Sequence, residues 1–332
     1  MARVLHLHIG VHKTGTTSLQ EFLFGNRDIL AQSGYYYPTN AAYFWRGELS
    51  HSFLAHSLRA ERPHYLPAVA TYDVDTAYKQ LAADVAHKGK HQLILSSEHF
   101  SLLYSKEDVA RVAERLLDIC PTTKIYVYLR RQDEAIEANY KQGVRSKAFW
   151  IDFPTYVSNA LSRHYDRWNY QLLVDNYRQA FGKDNVHVRL YEPGKLVNAN
   201  IIDDFLGVLG LENLGPFRQM NRKNQSWPVE ALELLRHLSP HLTKTQFVAL
   251  KRAMQPNPAP FNQGQFRYLD RELSQKILTA YEIPNATLAT TLNRERQTAL
   301  FDTAFKETQT LTCLSSPHLS RLMGGVIAEL VD

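Results

Sequence analysis

The chain has 332 residues, 44% of them hydrophobic and 21% charged, enough for one large domain or two small ones with a substantial core. Its net charge of +5 is a mild basic excess that suits an anionic ligand, and the lack of a Lys/Arg run or an interleaved basic–aromatic patch argues against nucleic acid. Two cysteines, Cys120 and Cys313, offer neither metal-ligand spacing nor a disulfide framework, which fits a reducing cytoplasm, and no apolar window has the length of a transmembrane span.

In chain order, residues 3–9 (RVLHLHI) form a β-rich apolar run that ends at Gly10 and reads as a buried strand. The apolar stretch in MARVLHLHIG is too short to be expected of a signal peptide. From Thr16 the period turns helical, with Leu19, Phe22 and Leu23 on one face and Ile29 and Leu30 further on. Residues 91–98 form a second buried strand, between helices at 76–87 and 106–119. Residues 124–130 form a third, which runs into a helix from about 133 to 142, and residues 185–192 form a fourth, followed by an amphipathic stretch at 201–209. Strands alternating with helices predict an α/β fold, a parallel sheet flanked by helices. Ligands of such sheets bind beyond the C-terminal strand ends. Here those ends carry HKTGTT, SSEH, RRQDE and YEP, and the first three are candidates for one shared site. Beyond Trp227 the segments PVEALELLRHL, TKTQFVALKRAM, RELSQKILTAY and NRERQTALFDTAF all read as helices. The expected organisation is a single domain over 1–332, with an α/β core at 1–225 and a helical subdomain at 226–332. The segment 35–67, rich in aromatics and histidine, reads as a lid or acceptor surface.

The stretch HIGVHKTGTTSLQEFL, residues 8–23, is a strand–loop–helix with glycine and threonine at the turn. Successive amides and a helix N-terminus make such a loop an anion cradle, and hydroxyls add donors. The ATP/GTP version is G-x-x-x-x-G-K-[ST]. Gly10 and Gly15 have its spacing, but Thr16 stands where its lysine should be, and the lysine is Lys13, inside the loop. From there Lys13 can bridge a group attached directly to the first phosphate and is poorly placed for a triphosphate tail. A ligand with one 5′-phosphate and a leaving group on it, a phosphosulfate, fits this arrangement.

HKTGTTSLQ resembles the 5′-phosphosulfate-binding loop of sulfotransferases that use 3′-phosphoadenosine 5′-phosphosulfate (PAPS), in particular the bacterial carbohydrate-type branch. YEPGKL and DDFLGVLGL fit the same pattern, so the resemblance covers roughly residues 4–211. It implies a P-loop-like sheet and makes PAPS the donor and PAP the product, without a metal. It puts Lys13 on the phosphosulfate and Thr14, Gly15, Thr16, Thr17 and Ser18 around the 5′-phosphate, with His12 beside them. The family holds the 3′-phosphate with a strand-end arginine, matched by Arg130 in VYLRRQDEAIEANYKQG. The serine that follows in the family is Ala138 here, and Asn139 is the nearest polar side chain. Residues 122–147 carry six Lys/Arg against three Asp/Glu, so the local field is positive. Arg130 and Arg131 could instead pair with Asp133 and Glu134 at a helix start. Arg222 and Lys223, in RQMNRKNQSW, match a basic loop that closes over the nucleotide in the family.

Sulfuryl transfer to an alcohol needs attacking and leaving oxygens roughly in line, charge stabilisation at the leaving phosphate, and a base for the acceptor proton. Glu98 and His99 stand just past a strand end on the loop side. Family members use a glutamate or a histidine near this place, and the SSE string resembles the glutamate-using branch, so Glu98 is the preferred base and His99 the alternative. The expected reaction is transfer to a hydroxyl on a glycan or glycolipid sugar, in the cytoplasm, with Tyr43, Phe44, Trp45 and Trp150 available to stack on sugar faces. Two other readings remain: a P-loop kinase with a divergent motif, and a non-catalytic nucleotide-binding regulator that kept the cradle.

Overall fold

A computed structural model describes residues 3–44, 49–59, 74–89, 92–212, 217–218, 227–254, 266–292, 299–302, 304–305 and 309–311. Arg222, Lys223, Trp45 and Cys313 lie outside them. The contacts divide the chain into two compact units. The first holds Met1–Arg130, Asp166–Arg222 and Pro284–Phe301. The second holds Arg131–Tyr165, Lys223–Ile283 and Asp302–Asp332.

The first unit is built on five parallel strands, β1 (Val4–His8), β2 (Tyr35–Tyr36), β3 (Gln92–Ser96), β4 (Thr122–Leu129) and β5 (Val186–Leu190), in the order β2-β3-β1-β4-β5. β1 is central, with Leu5 opposite Leu93 on one side and Thr123 on the other. Side chains alternate between the two faces of a strand, and the sequence exploits this. Leu5, Leu7, Leu93, Leu95, Ile125, Val127 and Leu129 join one apolar cluster, while Ile94, Tyr126 and Tyr128 join another. His6 and His8 alternate with the leucines of β1 and contact the rings of Tyr126 and Tyr128.

Helices cover both faces. α1 (Thr16–Gly25) and α2 (Arg27–Gln32) follow the first loop, and α3 (Ser52–Ser57) and α4 (Val74–His87) precede β3. α5 (Lys106–Ile119) starts where the Ser105 hydroxyl accepts from the Asp108 amide at 3.1 Å. Valines 109 and 112 and Leu116 pack it onto the aliphatic face. In the second unit α6 (Gln132–Arg145) and α7 (Phe153–Ser162) precede α8 (Tyr165–Trp168), where the chain returns to the first. α9 (Tyr170–Phe181) is capped by Asn169 and buries Tyr170, Leu173, Val174 and Tyr177. α10 (Ile201–Leu209) runs from an Asn200 cap to Gly210, whose φ of 71° closes the helix. Its buried Asp204 accepts from Tyr128 Oη at 2.9 Å and from Arg189 Nε at 2.9 Å, locking α10 to β4 and β5.

The second unit also contains α11 (Val229–Leu238), α12 (Lys244–Ala253), α13 (Arg271–Ala280) and the start of α14 (Glu282–Thr291), with a two-residue parallel pair of β6 (Phe266–Arg267) and β7 (Gln309–Thr310). Glu137 accepts from Arg267 at 2.7 Å and from the Tyr268 amide at 3.0 Å, and pairs with Lys141 at 3.0 Å. The helix expected over residues 293–305 is not formed in its described part, 299–302 and 304–305. Leu300 and Phe301 are both buried there, in an irregular segment. The helix lies one segment earlier, at α14, whose Pro284 falls in the tolerated first turn.

Candidate functional site

β1 ends under the loop at residues 9–15. Gly10 has φ +31° and no room for a side chain, since a Cβ there would lie 2.7 Å from Thr16 Cγ2 and 3.2 Å from His8 Nε2. Lys13 takes φ 70°, in the left-handed region. For a residue with a Cβ this costs about 1–2 kcal/mol. Such strain concentrates at functional sites. Gly15, with φ 74°, is the N-cap of α1 and supplies no side-chain cap. The first intrahelical bond closes from the Leu19 amide to the Gly15 carbonyl at 3.1 Å. The Thr16, Thr17 and Ser18 amides therefore precede the helix's own acceptors and point out of its positive end. Thr17 is exposed, Ser18 is half-buried, and Thr16 is buried.

Two placements differ in detail from the sequence expectation. The Thr14 side chain is fully buried and donates to the Val11 carbonyl at 2.7 Å. Its hydroxyl braces the loop from inside. Asn139 belongs to the second unit, where its Nδ2 donates to Tyr156 Oη at 2.5 Å.

Arg130, at the end of β4, sends Nη1 to the Lys13 carbonyl at 3.1 Å, and its own carbonyl accepts from Tyr170 Oη at 2.7 Å. The strand end thus clamps the loop at its left-handed residue. The adjacent Arg131 behaves differently. It is buried, binds Asp133 through Nε at 2.8 Å and Nη2 at 3.0 Å, lies 3.8 Å from Glu134, and donates to the Asp302 and Ala304 carbonyls. Arg131 makes the acidic pairing, and Arg130 reaches the loop.

Glu98 and His99 open a short 3-10 turn after β3. The Ser97 amide donates to the His8 carbonyl at 3.0 Å, the Ser97 hydroxyl caps the His99 amide at 3.2 Å, and Ser101 Oγ donates to the Glu98 carbonyl at 2.7 Å. The Glu98 carboxylate accepts from Gln20 Nε2, on α1, at 2.9 Å. The base candidate and the loop helix are therefore joined side chain to side chain.

Three imidazoles meet here. The His99 ring lies 4.1 Å from that of His56 and 5.3 Å from that of His12. Burial pushes His99 down to about 4, and the positive charges of Arg59 and Arg167 act in the same sense. His56 is held at about 3, chiefly by burial and also by His99 and Arg59, and His12 is pushed well below the ordinary histidine value by burial, with Arg167 next. All three are neutral at pH 7. His12 Nε2 and His99 Nδ1 are enclosed without a hydrogen-bond partner among the described residues, as is His8 Nε2 beneath Gly10.

The structure thus brings His12, Lys13, Thr14, Gly15, Thr16, Thr17, Ser18, Glu98, His99 and Arg130 together within the first unit. Gln20 and His56 add themselves to that group. Gln20 gives no local signal in the sequence, whereas His56 lies in the histidine-rich segment. Tyr43, one of the aromatics weighed for sugar stacking against a place in the core, is fully buried with its hydroxyl on Asp84 at 2.7 Å. Trp150 is 59% exposed.

No family model matches the sequence. An uncharacterized protein of Archaeoglobus fulgidus is 31% identical over 147 residues, which is 44% of this chain and 36% of that protein. The chain spans about a third of the length of this curated relative. Among solved structures, the crystal structure of a sulfotransferase from Alicyclobacillus acidocaldarius superposes with a TM-score of 0.48 at 17% identity, over 88% of this chain and 97% of that one.

Proposed function

We propose that the protein is a PAPS-dependent sulfotransferase that moves a sulfuryl group to a hydroxyl, on a glycan or glycolipid sugar, in the cytoplasm. One observation carries the reading: the displaced lysine, Lys13, is held at φ 70° inside a Gly10–Gly15 anion loop, with its carbonyl clamped by Arg130. A loop of this form has no lysine aimed at a β- or γ-phosphate, as a kinase would require.

The residues fit such a donor on three counts. The amides of Thr16, Thr17 and Ser18 stand uncapped at a helix N-terminus, which suits the 5′-phosphate. Gly15 takes φ 74°, and a Cβ there would lie 3.0 Å from Ile201 Cγ2, so the turn into the helix suits glycine. The enclosed His12 Nε2, next to Lys13, offers a polar atom that a ligand completes.

The bound donor supplies a sulfur that gains a bond to the acceptor oxygen as its bond to the 5′-phosphate oxygen breaks, the electron pair staying on that phosphate. Lys13 and the loop amides stabilise the charge left there, a role typically worth ~3–4 kcal/mol. Arg130 steadies the loop and adds positive charge for the 3′-phosphate. Glu98 takes the acceptor proton. Burial and the neighbouring arginines disfavour a charged His99, which makes the imidazole a poor place to leave a proton. His99 instead stands beside the base as a neutral group.

The test is thermal. PAP, the desulfated product, raises the melting temperature without added metal, as any ligand of the native state does. Equal stabilisation by ATP–magnesium with none by PAP overturns the reading in favour of a divergent kinase.

A further inference from the structure

We infer that Gln20 is the positioning residue for Glu98, and that through it the anion cradle and the base are carried by one helix. The inference rests on the reading of Glu98 as the base. Gln20 lies on α1, is 5% exposed, and donates from Nε2 to Glu98 Oε2 at 2.9 Å across 78 residues of sequence. It follows Thr16 by one helical turn, so both side chains lie on the same strip of the helix. Thr16 packs against Gly10 at the loop, and Gln20 reaches the end of β3.

The main chain at Glu98 is already fixed by the Ser97 amide on His8 and by Ser101 Oγ on the Glu98 carbonyl. What remains mobile is the carboxylate, at the end of three rotatable bonds. Gln20 holds one of its oxygens and leaves Oε1 to take the proton. A glutamine is neutral, so it orients the carboxylate without pairing it with a full positive charge. Because α1 also presents the loop amides, the direction of the base is referenced to the anion site itself. A misplacement of about 1 Å can cost two orders of magnitude in such chemistry.

The experiment is a double-mutant cycle read by single-turnover release of PAP from PAPS, with water as the acceptor. In that step the water oxygen bonds to sulfur, the sulfur–phosphate oxygen bond breaks, and one water proton goes to Glu98. Gln20→Met keeps length and apolar packing and lacks the donor. It should slow release about tenfold, a part of the ~100-fold that a general base typically supplies, while the melting temperature and the PAP-induced shift stay at wild-type values. Glu98→Gln alone should slow release about a hundredfold, and the double variant no further, because Gln20 acts through Glu98. Gln20→Asn, which withdraws the amide by one methylene, should behave like Gln20→Met and covers the case where the methionine variant fails to fold. A slow Glu98→Gln with a fast Gln20→Met, or equal slowing by Gln20→Met in both backgrounds, overturns the positioning role and leaves Glu98 as base. A wild-type rate in Glu98→Gln overturns the base itself, and the positioning role with it.

Discussion

Two groups of buried or half-buried histidines share the first unit and are finished differently. His6 is complete: Nδ1 meets Tyr126 Oη at 2.9 Å and Nε2 meets Gln92 Oε1 at 2.7 Å. His51 is complete too, donating from Nε2 to the Pro38 carbonyl at 3.0 Å and accepting from the Ser96 amide at 3.1 Å. At the loop end, His8, His12 and His99 each enclose one nitrogen with no partner among the described residues. Burial alone does not separate the groups, since it pushes His6, His8, His51 and His99 alike down to about 4. The difference lies in hydrogen bonding. An unpaired buried polar atom costs about 1–3 kcal/mol, and three such atoms in one corner are a poor way to build a core and a reasonable way to build a binding site. His187 Nε2, beside Tyr126, is also unpartnered. The orphaned nitrogen is therefore informative only where it coincides with other features, here the strained loop and Glu98.

The sharpest way to break this contrast is at the loop. Lys13→Ala should lower turnover by about a hundred- to a thousandfold with little change in melting temperature, and near-wild-type turnover at saturating PAPS would move the chemistry elsewhere. Next comes Glu98→Gln with PAPS and an accepting sugar. The expected loss in kcat is about a hundredfold with PAP affinity unchanged, and a silent Glu98→Gln beside a crippled His99→Ala would transfer the base to the imidazole. The histidines themselves can then be compared directly. His6→Ala strands Tyr126 and Gln92 and should destabilise the protein by about 2–3 kcal/mol, leaving the turnover expected of the folded protein intact. His99→Ala should lower the melting temperature less and turnover several-fold, and the opposite pattern would erase the distinction between the groups.

The smallest effect is one that both groups share. A histidine whose folded value lies below its unfolded one binds fewer protons when folded, so stability is fully present above pH 6.5 and falls as pH drops toward 4. The melting temperature should decline smoothly across that window. His6→Phe and His99→Phe should each flatten the decline, and a melting temperature level from pH 7 to 4.5 would contradict the burial of these rings.

How far the sequence reaches follows from the range of the interactions. β1, β3, β4 and β5 are short apolar runs bounded by polar strand ends, and α5 and α10 carry their own caps, so local pattern suffices for all six. β2 is two residues on a sheet edge, too short for any period. α7 and α9 are missed although their buried residues recur at i, i+3, i+4 and i+7 and Asp152 and Asn169 cap them, so both were legible in the local pattern. In the site, the loop from Gly10 to Ser18 is contiguous and visible in the sequence. The Gln20–Glu98 bond joins residues that nothing local connects, and Arg131 is held by carbonyls 171 and 173 residues away.

The strand order has a consequence for biosynthesis. β1 sits in the middle of the sheet but precedes both its neighbours, pairing with β3 at Leu5–Leu93 and with β4 at Leu5–Thr123. During translation it leaves the ribosome with both edges open, and neither partner exists until most of a hundred residues have followed. Parallel pairings over such separations close slowly, and an unpaired apolar strand is a template for aggregation while it waits. Nascent chains stalled before β4 should accumulate on chaperones, and recombinant yield should respond more to slowed synthesis and chaperone supply than to stabilising changes in the finished fold.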